Sequence, residues 1–237
     1  MISIGIIYPE FKILSKVENV FGLEQKISTF NRSKIIELEK VENPELLISA
    51  FEESILNDQS DFGIILTNSL NNNKAYFINF LELISISENN LHIRVFSFGA
   101  SKGVIRAWND FYSKGVDRPR LWKELKPSER QGWLELAISF QNVKKSGSVE
   151  EALIDGKYIH HIDDFFCELG ESINGYGGYF GRNFNALIDC IISPEFGGNN
   201  LKRIIWKNHK RNIWKLKKNF KVIQDIFWEY NIELILQ

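Results

Sequence analysis

The segment Leu91-His92-Ile93-Arg94-Val95-Phe96-Ser97-Phe98 alternates apolar and polar side chains with a period of two, the pattern of a strand with one buried face. Shorter apolar runs at Ile2 to Tyr8, Gly63 to Leu66 and Ala75 to Phe80, and the partly alternating Ser33 to Glu39, predict further strands. Asn71-Asn72-Asn73 and Glu88-Asn89-Asn90 supply the turns between them, and short turns between successive strands favour an antiparallel sheet. Between Pro44 and Leu56 the period changes. Leu46, Leu47, Ala50, Phe51 and Ile55 recur at helical spacing behind Asn43 as N-cap and Pro44 in the first turn. From Ser101 to Phe140 the pattern is helical again: Val104, Ile105, Trp108, Phe111 and Tyr112, then Leu121, Trp122 and Leu125, then Trp133, Leu134, Ala137 and Ile138 after the cap-like Ser128. The first part of the chain therefore predicts an α+β domain, a mostly antiparallel sheet followed by helices.

A polar, small-residue run at Lys144-Lys145-Ser146-Gly147-Ser148 separates this pattern from a second one and predicts a boundary, with one domain over 1–146 and another over 149–237. In the second, Ala152-Leu153-Ile154 predicts a strand turned by Asp155-Gly156. Asp163 is placed to cap a helix that buries Phe165, Phe166, Leu169 and Ile173. A further helix follows the glycine run Gly175-Tyr176-Gly177-Gly178, with Asn183 as cap and Phe184, Leu187, Ile188 and Ile191 as its apolar stripe. Arg203 to Lys207 predicts a strand. Asn219 is placed to cap a helix burying Phe220, Ile223, Ile226, Phe227 and Tyr230, and Ile232 to Leu236 closes the chain as a third strand. Strands alternating with helices predict an α/β domain, a small three-stranded parallel sheet wrapped by helices.

The 237 residues are 44% hydrophobic and 25% charged, which fits a soluble globular protein. The first residues lack the basic start and long apolar run of a signal peptide, and no apolar stretch approaches the roughly 18 residues a membrane helix needs, so a cytoplasmic protein with no membrane partner is expected. Cys167 and Cys190 form no CxxC pair and no histidine cluster has metal spacing, so core packing is expected of both thiols, with no metal and no cofactor. The net charge is −1, yet nine Lys or Arg and no Asp or Glu fall between Asn199 and Lys221. Such a run can be a nucleic-acid footprint. Ile204, Ile205, Trp206, Ile213 and Trp214 interrupt it with what read as core contacts, so the solvated flank of a strand and loop is expected, and RNA binding by 202–221 stands as the alternative to the main reading.

No catalytic constellation emerges. His92 is alone on its strand, His160 and His161 are adjacent and point apart, and Cys190 has no activating partner in sequence. Asp189 with Glu229, or His161 with Asp163, could be drawn as an acid–base pair, but carboxylates are common and binding is the better chemistry. An enzyme is not expected.

The most specific stretch is Tyr179-Phe180-Gly181-Arg182-Asn183-Phe184-Asn185-Ala186-Leu187-Ile188-Asp189-Cys190: two aromatics, a glycine bend and an amphipathic helix with Asn185 and Asp189 four residues apart on one face. From Leu153 through this motif to Leu236 the chain resembles the barstar family of ribonuclease inhibitors. The resemblance implies that Tyr179 and Phe180 are the family's paired aromatics, Gly181 its glycine, Asn183 its asparagine, Asp189 the acidic residue most associated with inhibition, and Glu229 a second contact glutamate beside Phe227. It implies a nuclease toxin as protein partner, with carboxylates standing in for substrate phosphate, and barnase with barstar is itself the reference system for such charge coupling across an interface. Tyr179, Phe180, Gly181, Asn183, Asn185, Asp189 and Glu229 are thus the expected partner-binding residues, and nucleic acid is not the expected partner. The chain departs from the family at Asn185, where an aspartate is usual, at Arg182 for a glutamate and at Ile188 for a tryptophan, so the face carries less negative charge and electrostatic steering weakens. The reading requires the Asp189 carboxylate to be open to solvent.

Overall fold

The alternation that predicts a strand at Leu91 places Leu91, Ile93 and Val95 on one fully buried face of a sheet. The structure is a computed structural model, and it describes residues 1–8, 10–24, 33–57, 61–140 and 149–237. Within them the chain divides into two compact units, Met1–Gly115 and Val116–Gln237.

In the first unit the strands are β1 (Ile2–Tyr8), β2 (Lys12–Val17), β3 (Asn19–Phe21) and β4 (Ser33–Glu39), followed by the helix α1 (Pro44–Asn57) and then β5 (Asp61–Thr67), β6 (Asn73–Ser87) and β7 (Asn90–Phe96). They form one sheet in the order β2-β1-β5-β6-β7-β4-β3, antiparallel at every pairing. Sequence periodicity locates five of these strands and misses β2 and β3. Both are edges, β3 is three residues long, and β2 exposes Lys12 and Ile13 where a buried face would have shown an apolar run. β6 is longer than the expected Ala75 to Phe80 because it pairs with β5 through Ile78 and then with β7 from Asn79 on. Its second half buries nothing and so carries no periodic signal. α1 lies across β2 and β6, where Phe51 stacks on Phe80 at 4.2 Å and meets Phe62 edge-on at 4.8 Å. Each such ring removed from water contributes about 2 kcal/mol.

The helical pattern after Ser101 is broken into pieces. A single turn, α2 (Val104–Ala107), runs into a π-helical turn at Trp108–Tyr112 with Trp108, Phe111 and Tyr112 buried, and the first unit ends at Gly115. The second unit opens with 3-10 turns at Leu121–Glu124 and Pro127–Glu129 and then α3 (Arg130–Phe140). These pieces belong with the strands and helices that follow them in sequence. Arg120 and Arg130 reach carboxylates of the helix that begins at Ile162, and that polar anchoring is invisible to hydrophobic periodicity. The anticipated boundary at Lys144–Ser148 lies outside the described residues.

The rest of the second unit is β8 (Glu151–Asp155), α4 (Ile162–Asn174), α5 (Phe184–Ile192), β9 (Arg203–Lys207), α6 (Lys210–Leu216), α7 (Lys218–Glu229) and β10 (Glu233–Leu236). Its three strands are parallel in the order β10-β9-β8. Trp206 of β9 stacks on Phe165 of α4 at 5.3 Å and meets Phe220 of α7 at 5.1 Å, forming the centre of the core. α6 was not expected. It is held by Asn212, which is fully buried, accepts from Trp206 Nε1 at 2.9 Å and donates to the carbonyls of Gly156 and Ile159 at 3.0 and 2.7 Å. The chain breaks at Lys217, with φ of 50°, so α7 starts at Lys218 and Asn219 sits inside its first turn. Asp163 is likewise one residue inside α4. The capping is done by Asp164, whose Oδ2 accepts from the backbone N–H of His160 at 2.8 Å and His161 at 3.0 Å.

Candidate partner-binding helix

α5 stands on a glycine bend. Gly181 adopts φ of 97°, a left-handed conformation that costs other residues strain, and a Cβ there would lie 2.9 Å from the backbone of Leu187. The bend lets the chain reverse directly into the helix. Asn183 caps it, its Oδ1 accepting from Ala186 N–H at 2.8 Å as its position in the sequence predicts. Leu187, Cys190 and Ile191 are buried, Phe184 and Ile188 half-buried.

The opposite side of α5 faces water. Asn183, Asn185 and Asp189 are exposed, and Ile192, 60% exposed, continues the same side one turn on. No hydrogen bond or ion pair among the described residues engages the Asp189 carboxylate. Its charge is felt by what lies behind it: burial foremost, then Asp189, pushes the Cys190 thiol up to about 12, and burial pushes the Tyr179 phenol up to about 12 with Cys190 and Asp189 adding to it against Arg182. An exposed carboxylate without a partner among the described residues thus sits on a helix whose other side is locked into the core.

Three of the residues expected to bind a partner are buried. Tyr179 is 2% exposed and Phe180 fully buried, and Gly181 is buried with them, so these three position the helix from below. The ring that this segment does present is Tyr176, 57% exposed in the glycine run. Two bulky rings before a bend serve as core anchors as readily as contacts, and here both rings go into the core. Glu229 is exposed but stands apart at the end of α7, whose main neighbours are α6 and β10. One helix brings Asn185 and Asp189 to the same side, with Asn183 at its cap.

Arg182 does not add a free positive charge to this side. Its Nη1 lies 3.4 Å from Glu135 Oε2 on α3, and its carbonyl accepts from Gln131 Nε2 at 3.2 Å. Asp163, drawn as half of a possible acid–base pair, accepts from the same Gln131 at 2.6 Å, and burial raises its pKa. Both cysteines are buried as their sequence context predicts. Among the described residues no group of three or more His, Cys, Asp or Glu converges as metal ligands would, and no helix is long and apolar enough to cross a membrane.

Residues 149–234 match the family model described as Barstar (barnase inhibitor), so the strands and helices from β8 to β10 form a barstar-like α/β domain. The region before it matches no family model. No curated protein matches the chain.

Proposed function

We propose that the second unit inhibits a ribonuclease toxin by seating the exposed side of α5 in its active-site cleft, and that the chain serves as an immunity protein. The single observation that carries this reading is the Asp189 carboxylate: solvent-exposed, without a partner among the described residues, and fixed on a helix anchored by Gly181, Asn183 and the buried Tyr179 and Phe180. A rigid, undischarged anion is what a cleft built for phosphate recognises, and rigidity lowers the entropic cost of docking. The family match over 149–234 supports the same reading. Members of that family are inhibitors and not enzymes.

Asn185 in place of a second acid, and Ile192 exposed beside Asp189, favour a partner whose cleft is less basic than a barnase-type enzyme's and has an apolar rim. The experiment is an inhibition titration. The full chain is added to a panel of purified ribonuclease toxins that includes barnase, and cleavage of a fluorogenic RNA is followed. Stoichiometric inhibition of one of them is expected, weakened at least roughly thirtyfold by Asp189→Ala, the size of loss found when a hot-spot residue is truncated. Inhibition that survives Asp189→Ala unchanged would move the contact away from α5.

A further inference from the structure

All nine Lys and Arg side chains between Lys202 and Lys221 are exposed. Four are engaged: Lys202 with Glu150 at 3.0 Å, Arg203 with Glu151 at 2.8 Å and Glu233 at 2.9 Å, Lys221 with Asp225 at 2.6 Å, and Lys215, whose Nζ lies 2.9 Å from His160 Nδ1. The other five, Lys207, Lys210, Arg211, Lys217 and Lys218, make no ion pair among the described residues. Lys218 stands at the positive end of α7, where its charge opposes the helix dipole, and Lys217 lies between that end and the C-terminus of α6.

The sequence expectation for this run rested on Ile204, Ile205, Trp206, Ile213 and Trp214 being core contacts; Ile204 and Trp206 are buried and Ile205 half-buried, but Ile213 and Trp214 face outward. Asn212 and Leu216, one turn apart, are the inward residues of α6, which turns Lys210, Arg211 and Trp214 to solvent. Trp214 is 82% exposed and Ile213 47%. The buried hydrogen bonds of Asn212 to Gly156 and Ile159, with Asn208 Nδ2 donating to Asp155 at 2.8 Å, dock α6 beside the turn that carries Lys157 and Tyr158. There Lys123 and Lys157 hold their ammonium groups 4.5 and 4.6 Å from the Tyr158 ring centre and enlarge the cationic face. Asp155, on the strand end beside this turn, is taken up by Lys157 and Asn208.

We propose that this face binds single-stranded RNA. Unpaired cations spaced around one protruding indole match a chain of phosphates with an unstacked base among them. An acidic protein surface would answer the cations and leave the indole without a planar partner. α6, seven residues and roughly 10 Å long, is too short to serve as a groove-reading helix, which sets a duplex aside. α5 contributes none of these residues, so the face does not depend on the inhibitor reading.

Fluorescence anisotropy of a labelled single-stranded RNA of about twelve nucleotides, a length that spans one such site, is titrated with the full chain at several salt concentrations. Saturable binding is expected. With about four phosphate contacts, affinity falls about fiftyfold between about 50 and 200 mM salt. Lys210→Glu with Arg211→Glu weakens binding by more than about tenfold and flattens the log–log salt slope by about 1.4. Trp214→Ala weakens it about tenfold with the slope unchanged, and Trp214→Phe restores most of the loss. These side chains lie outside the core, so far-ultraviolet circular dichroism stays at the parent's value. Absence of saturable binding at low salt, or binding indifferent to both the charge reversal and Trp214→Ala, would overturn the proposal. So would duplex RNA or polyglutamate binding as tightly as the single strand, the latter making an acidic polypeptide the occupant.

Discussion

Arg182, in the bend before α5, reaches Glu135 of α3 at 3.4 Å, and Gln131 one turn earlier on α3 holds the Arg182 carbonyl. The chain that positions the exposed acid is thus tied down by residues outside the barstar-like segment 149–234. Substituting Arg182 tests both consequences. Arg182→Glu places a carboxylate beside α5 and a like charge near Glu135. Stability is expected to fall by less than about 1 kcal/mol, since Arg182 is partly exposed and the pair is screened by water. Stopped-flow association with a basic-cleft ribonuclease should accelerate at low salt and lose that gain at high salt. Adding Glu135→Gln should recover the stability without slowing association.

Glu171 of α4 gives the second unit a pH dependence of unusual sign. Burial raises its carboxyl from the ordinary 4.5 to about 7, against the backbone N–H groups of Arg120 and Gly177 that favour the charge. Because the folded pKa lies above the unfolded one, the native state holds the proton more tightly between about 4.5 and 7. The contribution is fully present below 4.5 and is lost as pH rises through 7. Urea midpoints of the parent are expected to fall between about pH 5 and 7.5 relative to those of Glu171→Gln, by up to roughly 3 kcal/mol in unfolding free energy. Parallel profiles for the two proteins would remove Glu171 as the cause.

The thiols should be silent in the native protein. Cys167 is fully buried and pushed well above the ordinary thiol range by burial and then by Asp164, and Cys190 is pushed up to about 12. Only thiolate attacks a disulfide reagent, so Ellman's reagent at about pH 8 should detect neither cysteine until denaturant unfolds the second unit. Rapid labelling of Cys190 without denaturant would mean that α5 lifts from the core, and would argue against a rigid binding helix.

What could be read from sequence follows the range of each signal. Strand alternation, the Asn183 cap and the inward positions of α4, α5 and α7 are local, and they were legible because a buried face repeats every two or three to four residues. The exposed Asp189 was legible for the same reason. Tyr179 and Phe180 were not, because one strained bend, and not a period, decides whether their rings go in or out. Trp214 misread as core because apolarity was counted without Asn212, a polar residue that took the buried position through three hydrogen bonds. The division of the chain at Gly115 was hidden for a related reason, since the ion pairs that join 116–140 to α4 run between residues far apart in sequence.

Those contacts make the last prediction the most direct. Glu168 and Asp164 of α4 are 3% and 1% exposed, and their cationic partners are Arg120, bonded to Glu168 through Nε at 2.9 Å and Nη2 at 2.7 Å, and Arg130, bonded to Asp164. Both arginines precede the family-matched segment. A fragment beginning at residue 149 keeps the two buried carboxylates and removes both counter-charges, and breaking a buried pair from one side costs about 3 to 5 kcal/mol. One beginning at residue 116 keeps them. Chemical denaturation of the two fragments should therefore show 116–237 folding cooperatively and 149–237 far less stable. Equal midpoints at neutral pH would show that the barstar-like fold closes without these arginines, and that residues 116–140 decorate the domain instead of completing it.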